Sequence, residues 1–88
     1  MDFDFEAAIE TWKAAAVALA EAEGEYARAY AQAIATSQGR NEAARQSEAE
    51  LATKVQRDQR DRARIEEQAA KWAVQYALAR AGREARSS

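Results

Sequence analysis

The side chains in this 88-residue chain that could do chemistry are carboxylates, basic groups and a few hydroxyls: 15 Asp and Glu stand beside 13 Lys and Arg, with no His and no Cys. Without imidazole or thiol, the usual general base and the usual thiolate nucleophile are both missing, and no Ser or Thr has an evident activating partner. A di-iron bundle site would need Glu-x-x-His pairs on facing helices, and no His exists to complete one. We therefore expect no enzyme, no catalytic residue, no metal site and no cofactor. The absence of Cys also removes any disulfide framework.

The remaining charged candidates are Arg57, Arg60 and Arg64, which recur at helical spacing and could track phosphates. Asp58, Asp61, Glu66 and Glu67 are interleaved with them, and no aromatic side chain sits among them to stack on bases. A solvated or internally paired face explains the pattern better than a nucleic-acid groove. The charge is also divided unevenly: residues 1–36 carry seven acids and two bases, and residues 37–88 eight acids and eleven bases, so the parts are net −5 and +3. The two parts should attract each other.

These groups must be positioned by helices. Pro is absent, Gly occurs three times, and Ala, Glu, Arg and Gln dominate, the residues that lose least on entering a helix. The spacing predicts a first helix over about 4–37, a turn over 38–41 and a second helix over about 42–84. Asp2 or Asp4 would cap the first. Its larger residues recur in alternating steps of four and three through Phe5, Ile9, Trp12, Ala16, Leu19, Glu23, Tyr26, Tyr30 and Ala33. Gly24 falls within this helix, either tolerated on a packed helix or marking a kink or close approach. In the second helix the same steps pick out Ala44, Glu48, Leu51, Val55, Asp58, Arg62, Ile65, Ala69, Trp72, Tyr76 and Ala79.

The turn follows a recognisable grammar. Gly39 would take the left-handed conformation after the first helix, and Asn41 would cap the second with Glu42 in its first turn. Folding back about Gly39 gives an all-α, antiparallel two-helix hairpin resembling a coiled coil, a single domain over 1–88. Glu21, Glu23 and Glu25 then lie opposite Arg57, Asp58, Arg60 and Arg62, as inter-helix ion pairs or as pairs between subunits, and Asp2, Asp4 and Glu6 come near Arg80 and Arg83. Apolar contacts gather at the ends. Tyr26, Tyr30 and Ile34 would meet Ala44, Leu51 and Val55 near the turn; Phe5, Ile9 and Trp12 would meet Ile65, Ala69, Trp72 and Tyr76 at the open end.

Twenty-five of the hydrophobic residues are Ala, leaving 17 larger apolar side chains, a thin core for a chain that stands alone. Dimerisation into a four-helix bundle would compensate. Near the end of the second helix, Val74 and Leu78 lie almost opposite Trp72 and Tyr76, more apolar surface than one neighbouring helix can cover. Trp12, Trp72, Val74, Tyr76 and Leu78 are thus the expected partner or oligomer interface, with a homodimer and a protein of unknown identity as partners. The acidic N-terminus is unlike a signal peptide and no apolar run approaches the roughly 20 residues of a membrane span, so we expect a cytoplasmic protein without membrane contact.

The stretch Ser37-Gln38-Gly39-Arg40-Asn41-Glu42-Ala43-Ala44-Arg45, the charged run that follows, Ala70-Lys71-Trp72, and Tyr26 and Tyr30 before the turn together resemble small bacteriophage helical-hairpin proteins. The resemblance implies a phage origin, a host-cytoplasm setting and a protein-binding accessory factor or inhibitor. The length and central turn are also similar to the Trp-x-Gly hairpins exported by type VII secretion. Here, however, the turn reads Ser37-Gln38-Gly39, and Arg80 stands where that family's export signal has an acid four residues after a Tyr. A structural part of a virion, the type VII hairpin and a nucleic-acid-binding accessory protein are the alternatives to the interaction module.

Overall fold

The computed structural model describes residues 5–87 and places them in three helices with no strand among them: α1 Phe5–Thr36, α2 Glu42–Ala52 and α3 Lys54–Ser87. The fold is all-α. Cross-helix pairs run in opposite directions along the chain, from Ser37 and Glu48 beside the loop, through Tyr26 and Arg60 and Glu23 and Arg64, to Trp12 and Glu67. The result is a rod of 69 × 18 × 15 Å, whose radius of gyration of 19.6 Å exceeds the ~12 Å of a compact domain of this length. Its accessible surface, 6728 Å², likewise exceeds the ~5,100 Å² typical of a compact monomer of this mass. Asp2 and Asp4, the expected caps of α1 and partners for Arg80 and Arg83, lie outside the described residues.

α1 is continuous through Gly24, which is half-buried; a Cβ built there would meet only the Arg28 guanidinium, at 3.3 Å. The nearest group is the mobile end of a side chain, so neither a kink nor a close backbone approach explains this glycine. It is a helix residue that happens to lack a side chain.

The loop corrects the expectation for Gly39. No described glycine has a positive φ, so Gly39 does not take the left-handed conformation. Its reason is proximity instead: a Cβ there would stand 2.8 Å from the Arg45 backbone N and 3.0 Å from the Ala44 carbonyl carbon. The chain turns tightly over the start of α2. Asn41 caps that helix with extended backbone (φ −142°, ψ 175°), its side-chain oxygen accepting from the Ala44 N–H at 2.8 Å. Glu48 fastens the loop from below, accepting from the Ser37 hydroxyl and from the Gln38 N–H at 3.2 Å, while Arg45 Nε donates to the Gly39 carbonyl at 3.2 Å.

The second arm, expected as one helix, divides at Thr53. This residue is 1% exposed, and its hydroxyl and its N–H both donate to the Ala49 carbonyl, at 2.6 and 3.0 Å. A threonine hydroxyl that bonds the carbonyl four residues back distorts a helix, and here φ opens to −109° with ψ 17°. The Arg57 N–H still donates to the Thr53 carbonyl at 2.9 Å, so the arm bends without being severed. The Arg57 side chain donates to the Glu50 carbonyl in the last turn of α2.

The seam between the arms is built from alternating steps of four and three on both sides. α1 turns Ala8, Trp12, Ala15, Leu19, Ala22, Tyr26, Ala29 and Ala33 inward, all buried or half-buried. The second arm contributes Ala49, Thr53, Gln56, Arg60, Ala63, Glu67, Ala70, Val74 and Ala77. The largest apolar side chains of the seam, Trp12, Leu19 and Tyr26, therefore come from α1, and the alanines that both arms contribute let the helices approach closely. The expected end contacts from Leu51, Val55, Ile65, Trp72 and Tyr76 are not made: all five point away from α1.

Register departs from the expectation as well. A hairpin folded symmetrically about Gly39 would set Tyr26 across from Thr53, whereas Tyr26 lies against Arg60, two helical turns further on. The cause is the loop, which folds back over the first turns of α2 to reach Glu48.

Candidate protein-binding face

Two heptad stripes share the second arm. The inward one is offset from the outward one by two residues, about 200° around a helix of 3.6 residues per turn, so the two lie on opposite sides. The outward stripe carries Leu51, Val55, Asp58, Arg62, Ile65, Ala69, Trp72 and Tyr76. Its large apolar members are 56–79% exposed, with Leu51 the most exposed of them. α1 exposes only Val17 among its large apolar residues. The unpartnered apolar surface is therefore almost wholly a property of α2 and α3.

Of the five expected interface residues, Trp72, Tyr76 and Leu78 are exposed. Val74 is not: at 5% exposure it belongs to the seam, because it falls on the Ala70–Ala77 step that faces α1. Trp12 is half-buried, and its indole N–H donates to Glu67 Oε1 at 3.0 Å across the seam. Leu51, Val55 and Ile65, expected as packing residues, join the exposed set. Their size suggests an inward place, yet α1 already fills the seam with Trp12, Leu19 and Tyr26, and the second arm meets Trp12 with Glu67 and Tyr26 with Arg60, with alanines between.

The polar waist holds fewer cross-helix ion pairs than expected. Glu23 pairs with Arg64 at 3.7 Å, both side chains about half exposed. Arg60 instead lies over the Tyr26 ring, 4.5 Å from its centroid, and donates to Asp61 at 2.9 and 3.1 Å. Glu21, Glu25 and Arg62 are exposed and pair with nothing across the seam. An exposed ion pair is worth ~0–1 kcal/mol and a cation–π contact ~0.5–2 kcal/mol, so the ion pair of the waist sets direction more than it holds the arms together. Glu48, Arg64 and Glu67 escaped the sequence reading as cross-helix partners. The available signal was that Glu67 and Arg60 fall on the same heptad as Ala63 and Val74.

A groove of about 580 Å³ opens beside the loop, lined in part by Tyr30, Ile34, Arg40 and Arg45. Among the described residues no cluster of acids could hold a metal ion, and no helix is long and apolar enough to cross a membrane. Comparison of the chain with protein-family models, with curated proteins and with solved structures finds no match.

Proposed function

We propose that this chain is a non-enzymatic protein-binding module, a helical hairpin whose outward α2–α3 face takes a helix of another chain. The observation that carries the reading is the row Leu51, Val55, Ile65, Trp72 and Tyr76, apolar, in heptad phase, and 56–79% exposed. Side chains of this kind on a solvent-facing stripe are what an amphipathic helix docks against. Association of two hairpins into a four-helix assembly is the form of the fold that goes with it. Nucleic-acid binding is the weaker account, since Arg60 and Arg64 are engaged within the chain and Arg57 reaches a backbone carbonyl.

The host-cytoplasm setting and the role of an accessory factor or inhibitor belong to the same proposal, and rest on the bacteriophage resemblance of Ser37–Arg45. The test is affinity capture from cell lysate with the tagged chain and with its Leu51→Asp/Trp72→Asp variant. A protein retained by the first and lost by the second supports the reading. Equal retention by both overturns it, as does retention by neither when the chain is also a monomer.

A further inference from the structure

We propose that the occupant of this face is a second copy of the chain, paired antiparallel along the α2–α3 stripe in a single register. The inference rests on the protein-binding role of the stripe and names its partner. The stripe carries large apolar side chains at both ends, Leu51 and Val55 at one and Trp72 and Tyr76 at the other, so turning it end for end sets apolar on apolar, and the charged Asp58 and Arg62 fall opposite Ala69 and Ile65. A two-fold interface brings one patch onto itself, and a patch with this symmetry is self-complementary.

Charge then selects direction. A parallel, in-register pair would stack Asp58 on Asp58 and Arg62 on Arg62 of the second copy, which like charges oppose. Turned antiparallel, the stripe can set Leu51 across from Tyr76 and Val55 across from Trp72 of the second copy. Asp58 then meets Ala69, and Arg62 lays its stem over Ile65 while its guanidinium reaches water.

Charge also selects register. In the arrangement just given, the flanking positions pair Lys54 with Gln75, Asp61 with Gln68, and Gln59 with Glu66, so no like charges meet. A slip of one heptad in one direction brings Asp61 onto Asp61 of the second copy; a slip in the other brings Glu66 onto Glu66. All of these flanking residues but Asp61 bond nothing else within the chain, and Asp61 is taken by its own Arg60. From Leu51 to Tyr76 the stripe runs ~38 Å at ~1.5 Å per residue on a helix ~10 Å wide. That footprint, roughly 400 Å² per copy, is about half that of a standard specific interface, so the pairing is weak and the dimer dissociates on dilution.

The chain lacks Cys, so Lys54→Cys and Gln75→Cys each introduce one thiol on the exposed flank without touching the apolar row. Sedimentation equilibrium of the purified full chain should give a dimer mass that falls with dilution, and Ile65→Asp/Trp72→Asp should lose that mass while keeping its helicity. A short bismaleimide should join the Lys54→Cys and Gln75→Cys proteins to each other when mixed, several-fold more than it joins either to itself. A monomer at every concentration overturns the self-pairing while leaving lysate capture to decide the protein-binding role separately. Self-linking of Lys54→Cys overturns the direction, and a dimer that survives Ile65→Asp/Trp72→Asp overturns the face.

Discussion

The inward and outward faces of the second arm have the same spacing and opposite contents. One carries Ala49, Ala63, Ala70 and Ala77 with Thr, Gln, Arg and Glu between them, and it is buried; the other carries Leu51, Val55, Ile65, Trp72 and Tyr76, and it is exposed. A rule that sorts residues by hydrophobicity alone would exchange the two. What decides is the neighbour. α1 presents Trp12, Leu19 and Tyr26, whose rings and branches need small side chains opposite, a cation over a ring and an acceptor for an indole N–H. The outward face meets no such constraint from within the chain, and its large side chains are free for another.

The sharpest way to break this comparison is a pair of substitutions two residues apart. Val74→Asp buries an unpaired carboxylate in the seam and should cost about 3 kcal/mol or more, whereas Trp72→Asp should leave the fold of the single chain within about 0.5 kcal/mol. Thermal unfolding followed by circular dichroism separates them, and a loss from Trp72→Asp as large as or larger than that from Val74→Asp would break the assignment of the two faces. Next in size, Ala70→Leu overfills the seam and should destabilise by about 1–3 kcal/mol. Arg62→Leu replaces a charged side chain with a smaller apolar one on the outward face, and should leave the fold intact while strengthening association.

Smaller effects sharpen the boundary between the faces. Gly24→Ala should stabilise by about 1 kcal/mol, since α1 is regular there and only the movable Arg28 side chain is near. For a chain of this size that is roughly 4–8 °C in Tm. The smallest change belongs to Glu23→Gln at the edge of the seam, a loss of no more than about 0.5 kcal/mol that disappears at high salt, read from unfolding midpoints in low and high salt.

Much of the scaffold was legible in the sequence. The lack of Pro and the wealth of Ala mark long helices, Asn41 marks where α2 begins, and the heptad through Trp12, Leu19 and Tyr26 identifies the inward side of α1. The phase of the second arm was not legible, because two stripes there are equally periodic and residue size gave preference to the wrong one. Thr53 also passed unnoticed: its hydroxyl competes for the Ala49 carbonyl, and that bond carries no signature in the spacing. Gly39 misled for a related reason. A glycine after a helix suggests a backbone conformation, while this one is required by the backbone that passes beside it. Of the outward stripe, the exposure of Trp72 and Tyr76 is the part the sequence suggests, while Leu51, Val55 and Ile65 read as packing residues.

The loop clasp bears on the order in which the rod assembles. Its bonds join Ser37 and Gln38 to Glu48, only eleven and ten residues apart, and closing so short a segment costs little chain entropy. Trp12 and Glu67, by contrast, must meet across 55 residues. A folding chain therefore reaches the clasp early and zips away from it, so amide exchange should be slowest beside the loop and fastest at the end of the rod farthest from it.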